Sequence, residues 1–190
     1  MTTADRTRWA AARLTGGALA VAGAAWVTGA VFGFRGPAFA WVTHCALMAW
    51  MSAVMTVTRP ALRGGWFQVR AGEPAVYRRL GVVLFLRLLR RIGWERAQRG
   101  TRSFDGTRSA LTGLERDTRR SELAHLVLAA IGTVLVAVAV AFAAWDAAAW
   151  LLAVNILLHG YPVLLQRWVR ARVTRIARSV EAADEGFPPA

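Results

Sequence analysis

The pattern of apolar and polar positions along the chain resolves into four long hydrophobic runs. Leu14 to Phe34 carries no charge, and Arg35-Gly36-Pro37 alone separates it from a second run, Ala38 to Val57. A third extends from Leu123 to Trp145 and a fourth from Ala147 to Leu165, parted only by Asp146. A helix needs roughly 20 apolar residues to cross a bilayer, and each run reaches about that length. The short breaks predict two hairpins of antiparallel helices. Between the hairpins, Gly81 to Trp94 (GVVLFLRLLRRIGW) sets Val, Leu, Phe and Ile between Arg87, Arg90 and Arg91. That segment is too short and too charged to span, and it fits an amphipathic helix lying in the headgroup plane. Gly64-Gly65-Trp66-Phe67 and Gly72-Glu73-Pro74 precede it as turn-forming stretches. The expected fold is an all-α membrane protein of four transmembrane helices in two hairpins, with an interfacial helix between them.

This pattern predicts the domain organisation. Residues 1–13 form an N-terminal arm, 14–57 the first hairpin, 58–121 an interfacial segment, 122–166 the second hairpin, and 167–190 a basic tail ending in an acidic, Pro-containing stretch.

Charge gives the orientation. All 24 basic residues are Arg, against 11 acidic residues, for a formal charge of +13. Three lie before the first run, fifteen between Arg59 and Arg120, and five between Arg167 and Arg178, leaving Arg35 in a turn. With an even number of spans all three groups fall on one face, and the excess of Arg makes that face cytoplasmic. The expected location is the cell membrane, multi-pass, with both termini in the cytoplasm. The basic charge then serves topology and attraction to anionic lipid, which argues against a nucleic-acid partner. The rival reading of the first run as a cleaved signal, with a site near Ala38-Phe39-Ala40, would break the symmetry of the Arg groups. Cys45 is the single cysteine, and without CxxC or HExxH patterns no metal site is expected.

Ionisable groups within apolar runs are costly and are functional candidates. Glu122 and His125, three apart at the start of the third run, share a helix face. Asn155 and His159 are four apart in the fourth, and Pro162 and Gln166 continue their stripe. His125 is five residues past Arg120 and His159 eight before Arg167, which puts them about 7 Å and about 12 Å beyond the basic border at 1.5 Å per residue. On antiparallel neighbours the two imidazoles are expected to meet. Pro162 also frees a carbonyl near His159. A His held by a carboxylate suits a general base. His44 and Cys45, about 14 residues before Arg59, fall near the opposite leaflet by the same reckoning and read as packing residues.

Asp117-Thr118-Arg119-Arg120-Ser121-Glu122-Leu123-Ala124-His125 resembles the E-T-x-R-A-E-L-x-H segment of the glycosyl-4,4'-diaponeurosporenoate acyltransferase family. The run from His159-Gly160-Tyr161-Pro162 to Gln166-Arg167-Trp168-Val169-Arg170-Ala171-Arg172 is similar to that family's N-x-x-P-x-x-x-Q-R-Y-N-R-x-R ending. Trp66-Phe67, Arg70, Glu73, Tyr77 and Gly81 resemble its F-x-x-R-x-x-E-x-x-x-Y-x-x-x-G stretch. The chain departs at Asp117 for Glu, Ser121 for Ala, His159 for Asn, and Trp168-Val169 for Tyr-Asn. The change at His159 bears on the acceptor more than on the reaction class.

The resemblance implies a membrane acyltransferase that esterifies a sugar hydroxyl of a glycosylated carotenoid or similar glycolipid. Its donor would be acyl-CoA or acyl carrier protein, used as a substrate, with no bound cofactor. His125 would be the general base, oriented by Glu122. Asn155 and His159 would bind the sugar or the oxyanion, Arg167 and Arg70 the donor's phosphates, with Tyr161, Gln166, Glu73 and Tyr77 completing the substrate site. Membrane lipid, the glycoside acceptor and the donor are the expected partners. The H-x-x-x-x-D signature of glycerolipid acyltransferases is absent at all three histidines. A non-catalytic scaffold or subunit of a lipid-modifying complex is the rival reading. A small transporter fits less well, because no ionisable group reaches the bilayer middle.

Overall fold

The computed structural model describes residues 2–62, 64–93 and 108–185. The described residues are helical apart from turns, with no strand among them. Helix α1 (Thr3–Phe32) opens on a capping box, in which Thr2 and Asp5 satisfy each other's backbone N–H groups. It stops at Gly33, whose φ of 87° suits glycine. Pro37, at the first position of α2 (Pro37–Thr58), needs no N–H there. Then come a 3₁₀ turn (Gly65–Phe67), α3 (Glu73–Arg79) and α4 (Val82–Arg91). Helix α5 (Arg108–Ala141) and α6 (Trp145–Asn155) follow. A π-turn (Ile156–Gly160) then leads into α7 (Tyr161–Glu185).

Four helical stretches are long and apolar enough to cross a membrane: Ala4–Phe32, Pro37–Thr58, Gly113–Ala141 and Trp145–Ala177. The two hairpins expected from the apolar runs are present, and their turns fall at Gly33–Gly36 and Phe142–Ala144. The amphipathic segment is the helix α4; the expected Trp94 end lies outside the described residues. Helix α5 starts earlier than the apolar run, at Arg108, and the last helix continues to Glu185. Apolarity marks the stretch a helix can bury in lipid, not where its backbone hydrogen bonds begin and end.

The described chain divides into two compact units, Met1–Ala61 with Leu123–Gly160, and Leu62–Glu122 with Tyr161–Ala190. In the first unit α2 packs against α1 and α6. One apolar cluster joins Ala40 of α2, Ala139 of α5, and Ala147, Ala148, Leu151 and Val154 of α6. A second joins Leu47, Met51 and Met55 to Leu128. Small residues allow the close approach on which helix pairing in lipid depends. Gly17 faces the Trp50 indole, where a Cβ would come within 2.6 Å of the ring, and the Trp50 N–H donates to the Leu14 carbonyl at 3.0 Å. Outward, Leu19, Trp26, Val31 and Phe32 are exposed, an apolar surface that a bilayer covers.

In the second unit α3 and α4 lie against α7. Helix α4 turns Val82 and Phe85 inward and leaves Leu84 and Leu88 exposed. Phe85 stacks on Tyr161, with ring centroids 5.2 Å apart.

Candidate functional site

Two sets of buried polar groups stand out, one in each unit. In the first unit, three imidazoles lie in series. Nδ1 of His44 is 2.9 Å from Nε2 of His159, and Nδ1 of His159 is 3.3 Å from Nδ1 of His125. His44 and His159 are fully buried, while His125 is half-buried. The local sequence explains how His159 reaches the middle. Pro162 has no N–H for the Leu158 carbonyl and its ring crowds the preceding turn, and the helix widens there into the π-turn of Ile156–Gly160. His159 rides on that wider turn.

The meeting of His125 and His159 accords with the depth reckoning. His44 does not: it was expected to pack in the opposite leaflet, yet it ends the chain. Counting inward from Arg59 and from Arg167 takes each as a water border, and Arg167 is held by carboxylates instead. The legible signal was His44 itself, an ionisable group in an apolar run. Asn155, on the same stripe as His159, donates through Nδ2 to the Ala129 carbonyl at 3.1 Å and to Thr133 Oγ1 at 3.4 Å. It clasps α5 where Gly132 leaves room, since a Cβ there would lie 2.5 Å from Asn155 Oδ1. The amide nitrogen is thus committed to protein rather than to a sugar.

In the second unit, Glu122 is fully buried, and its two oxygens are taken by arginines. Arg167 Nη1 donates to Oε1 at 2.8 Å and Arg170 Nη2 donates to Oε2. Glu122 was expected to orient His125; its carboxylate hydrogen bonds go to guanidiniums. The remaining Arg167 donors are also occupied. Nε gives to Glu73 Oε2 at 3.1 Å and to Tyr77 Oη at 3.0 Å, Nη2 to Glu73 Oε2 at 2.9 Å, and both terminal nitrogens reach the Trp66 and Gln68 carbonyls. The Tyr77 hydroxyl donates to Glu73 Oε2 at 2.5 Å.

Burial, the strongest single influence on Glu73, pushes its carboxyl up. The Tyr77 and Arg167 hydrogen bonds, an Arg70 backbone N–H and the Arg167 charge outweigh it and hold the group below its ordinary value. Tyr77 is pushed up, by burial first and then by its bond to Glu73.

Arg170 was not singled out from sequence, although its i,i+3 spacing from Arg167 on α7 puts both on one face. It is 2% exposed, and its guanidinium carbon lies 5.7 Å from the Phe67 ring centroid, within cation–π range. Arg167 stands in the same way 5.8 Å from Trp66.

Beside this cluster is a cavity of about 380 Å³ in the second unit, lined by Gly65, Trp66, Gln68, Arg70, Glu73, Tyr77, Glu122, Val163 and Arg167. The cavity gathers Arg70, Glu73, Tyr77 and Arg167 of the expected substrate residues. Arg70 is exposed, and among the described residues its guanidinium has no carboxylate partner. Gln166 is half-buried on α7, and Tyr161 is held in its stack on Phe85. Among the described residues no cluster of His, Cys, Asp or Glu has metal-holding geometry. In the imidazole chain His159 offers a different nitrogen to each neighbour, so the three rings do not converge on one point.

Features of this kind define a polytopic helical membrane protein that keeps ionisable groups at buried positions, where lipid penalises them unless they are needed. The family model for glycosyl-4,4'-diaponeurosporenoate acyltransferases matches residues 63–179, more than half of the chain, and the chain belongs to that family. The match takes in α3, α4, Glu122, His125, His159 and Arg167. Comparisons with curated proteins and with solved structures returned no match.

Proposed function

We propose that the protein transfers a fatty acyl group from a thioester donor to a sugar hydroxyl of a glycosylated carotenoid acid, at the cytoplasmic side of the cell membrane. The observation that carries this reading is the position of His125: half-buried, with Nδ1 hydrogen-bonded to the buried His159. That arrangement fixes the ring, and Nε2 is the nitrogen not bound to another imidazole. His125 Nε2 removes the hydroxyl proton as the oxygen attacks the thioester carbonyl. The C–O bond forms, the tetrahedral intermediate collapses, the C–S bond breaks, and the proton passes from Nε2 to the leaving thiolate.

The cavity of the second unit has a lining whose chemistry suits an anionic ligand. Arg167 spends its donors on protein groups and acts as a clamp. Arg70 is the cation left for the phosphates of the donor. Coenzyme A and acyl carrier protein both carry a phosphopantetheine arm, so Arg70 suits either.

The test is His125→Ala, expressed in cells that supply the glycosylated carotenoid acid. Acylated product, measured by mass spectrometry of extracted pigment, is expected to fall at least about 100-fold, the lower end of general-base effects. Inserted protein, measured by detergent extraction and gel filtration, should be unchanged. Near-normal product in the inserted variant overturns the assignment. It would favour the scaffold reading, which draws on the internal satisfaction of the Arg167–Glu122 cluster.

A further inference from the structure

His44, at one end of the imidazole chain, has no part in the reaction just described. We infer that His44 is a positioning residue that acts through His159 to set which nitrogen of His125 carries the proton. Each N···N contact needs one donor and one acceptor, and a neutral imidazole offers one of each. His159 uses both of its nitrogens, at 2.9 Å to His44 and 3.3 Å to His125. The neutral chain therefore has two arrangements only.

In one, His44 Nδ1–H donates to His159, His159 Nδ1–H donates to His125, and His125 keeps its proton on Nε2. In the other, His125 Nδ1–H donates to His159, His159 Nε2–H donates to His44 Nδ1, and His125 Nε2 is bare. Mixed arrangements would set two N–H groups or two lone pairs against each other in a site shielded from water, where unmet polar groups are costly.

His44 Nε2 is buried, and the Leu151 backbone is the polar group beside the His44 ring, so the chain ends there on protein and exchanges protons through His125. This inference rests on the general-base reading for its consequence, though its geometry stands without it. With Nε2 bare, His125 accepts the hydroxyl proton. Shifts of Nδ1–H from His125 to His159, and of Nε2–H from His159 to His44 Nδ1, leave His125 with Nε2–H facing the leaving thiolate. The excess positive charge then rests on His44. Donation of Nε2–H to sulfur as both shifts reverse leaves all three rings neutral with His125 Nε2 bare again, which is the arrangement the step started from, and no proton is gained or lost.

The chain contains three histidines in all, so ¹⁵N-histidine labelling of the whole protein in lipid bilayers reports on these rings alone. Solid-state NMR separates protonated from bare ring nitrogens. The expected result is one tautomer per ring, with cross-peaks from His44 Nδ1 to His159 Nε2 and from His159 Nδ1 to His125 Nδ1. His44→Ala should split His125 into two tautomers although the substitution is two rings away. His44→Asn, whose amide can occupy the Nδ1 position, should restore the single form but lower turnover, because an amide does not pass a proton on. Unchanged His125 resonances in His44→Ala, or missing cross-peaks in the wild type, overturn the inference. If His44→Ala does not fold, wild-type cross-peaks and the His44→Asn spectrum decide it. Loss of the His125 assignment would appear separately, as normal turnover in His125→Ala while the wild-type protein still shows both cross-peaks.

Discussion

Replacing Glu122 by Gln removes one negative charge and leaves the shape of the cluster almost unchanged. The carboxylate is fully buried, and its partners Arg167 and Arg170 have side chains 12% and 2% exposed. At the 2.8 Å separation of Arg167 from Glu122, an effective dielectric constant of about 20 gives roughly 6 kcal/mol of attraction. Desolvation of the ions offsets much of it, so the pair contributes far less than that in net stability. Removal of one partner is a different quantity, because Arg170 is then left charged with no carboxylate and little water. Such losses run at about 3–5 kcal/mol, a large share of the roughly 5–15 kcal/mol that holds a typical domain.

Glu73→Gln, at 22% side-chain exposure, should lose about 1–2 kcal/mol, the scale of a charged hydrogen bond weakened by water. The assay is thermal unfolding of the protein in mild detergent, together with hydrogen exchange of the α3 and α7 amides. Glu122→Gln should lower Tm by on the order of 10 °C. The pair Glu122→Gln with Arg170→Met should recover roughly 2 kcal/mol, because the orphaned cation is gone. A loss under about 1 kcal/mol for Glu122→Gln, or a double variant no better than the single, refutes the buried-triad reasoning.

Glu73 titrates below its ordinary value, so its contribution is complete above the unfolded value of about 4.3 and is lost as pH falls through the lower folded value. Tm should therefore fall more steeply with acidification in the wild type than in Glu73→Gln, and parallel curves would contradict the network. Arg70→Ala should raise the KM for the acyl donor about tenfold, roughly 1.4 kcal/mol, with Tm and kcat unchanged; an unchanged KM removes Arg70 from donor binding. Gly132→Ala gains up to about 1 kcal/mol of helix propensity but sets a methyl 2.5 Å from Asn155 Oδ1. The clash, about 1–3 kcal/mol, should prevail and lower Tm, and a stabilised variant would show that Asn155 moves aside freely.

The spans were legible because lipid imposes one requirement on backbone and side chain together: a long apolar helix. Glu122, His125 and His159 were legible for the converse reason, since an ionisable residue in such a run needs an explanation. Their partners were not. Glu122 lies 45 and 48 residues from its two arginines, and His44 lies 115 from His159. No local periodicity records pairings at that separation. Helix α5 was shortened in the reading because its first turns, Arg108–Ser121, are mostly polar and carry no apolar stripe of their own.

Arginines can mark topology while Arg170 is buried and Arg167 half-buried, because their charges are matched within the second unit. Arg167 and Arg170 lie within Trp145–Ala177, a stretch long and apolar enough to cross a membrane, so neither is simply a marker of where water begins. Each is matched by a carboxylate, Arg170 by Glu122 and Arg167 by both Glu122 and Glu73, and two positive charges against two negative ones leave the cluster neutral. Neutrality is what allows Glu122 to be fully buried, and it also means that the cluster holds no spare cation for an incoming phosphate. A ligand that draws Arg167 out would have to replace two carboxylate contacts and two backbone carbonyls at once. Anion recognition is therefore expected of arginines outside the cluster. Arg70, on the cavity wall with no carboxylate of its own among the described residues, meets that condition, and Arg167 keeps the wall in shape.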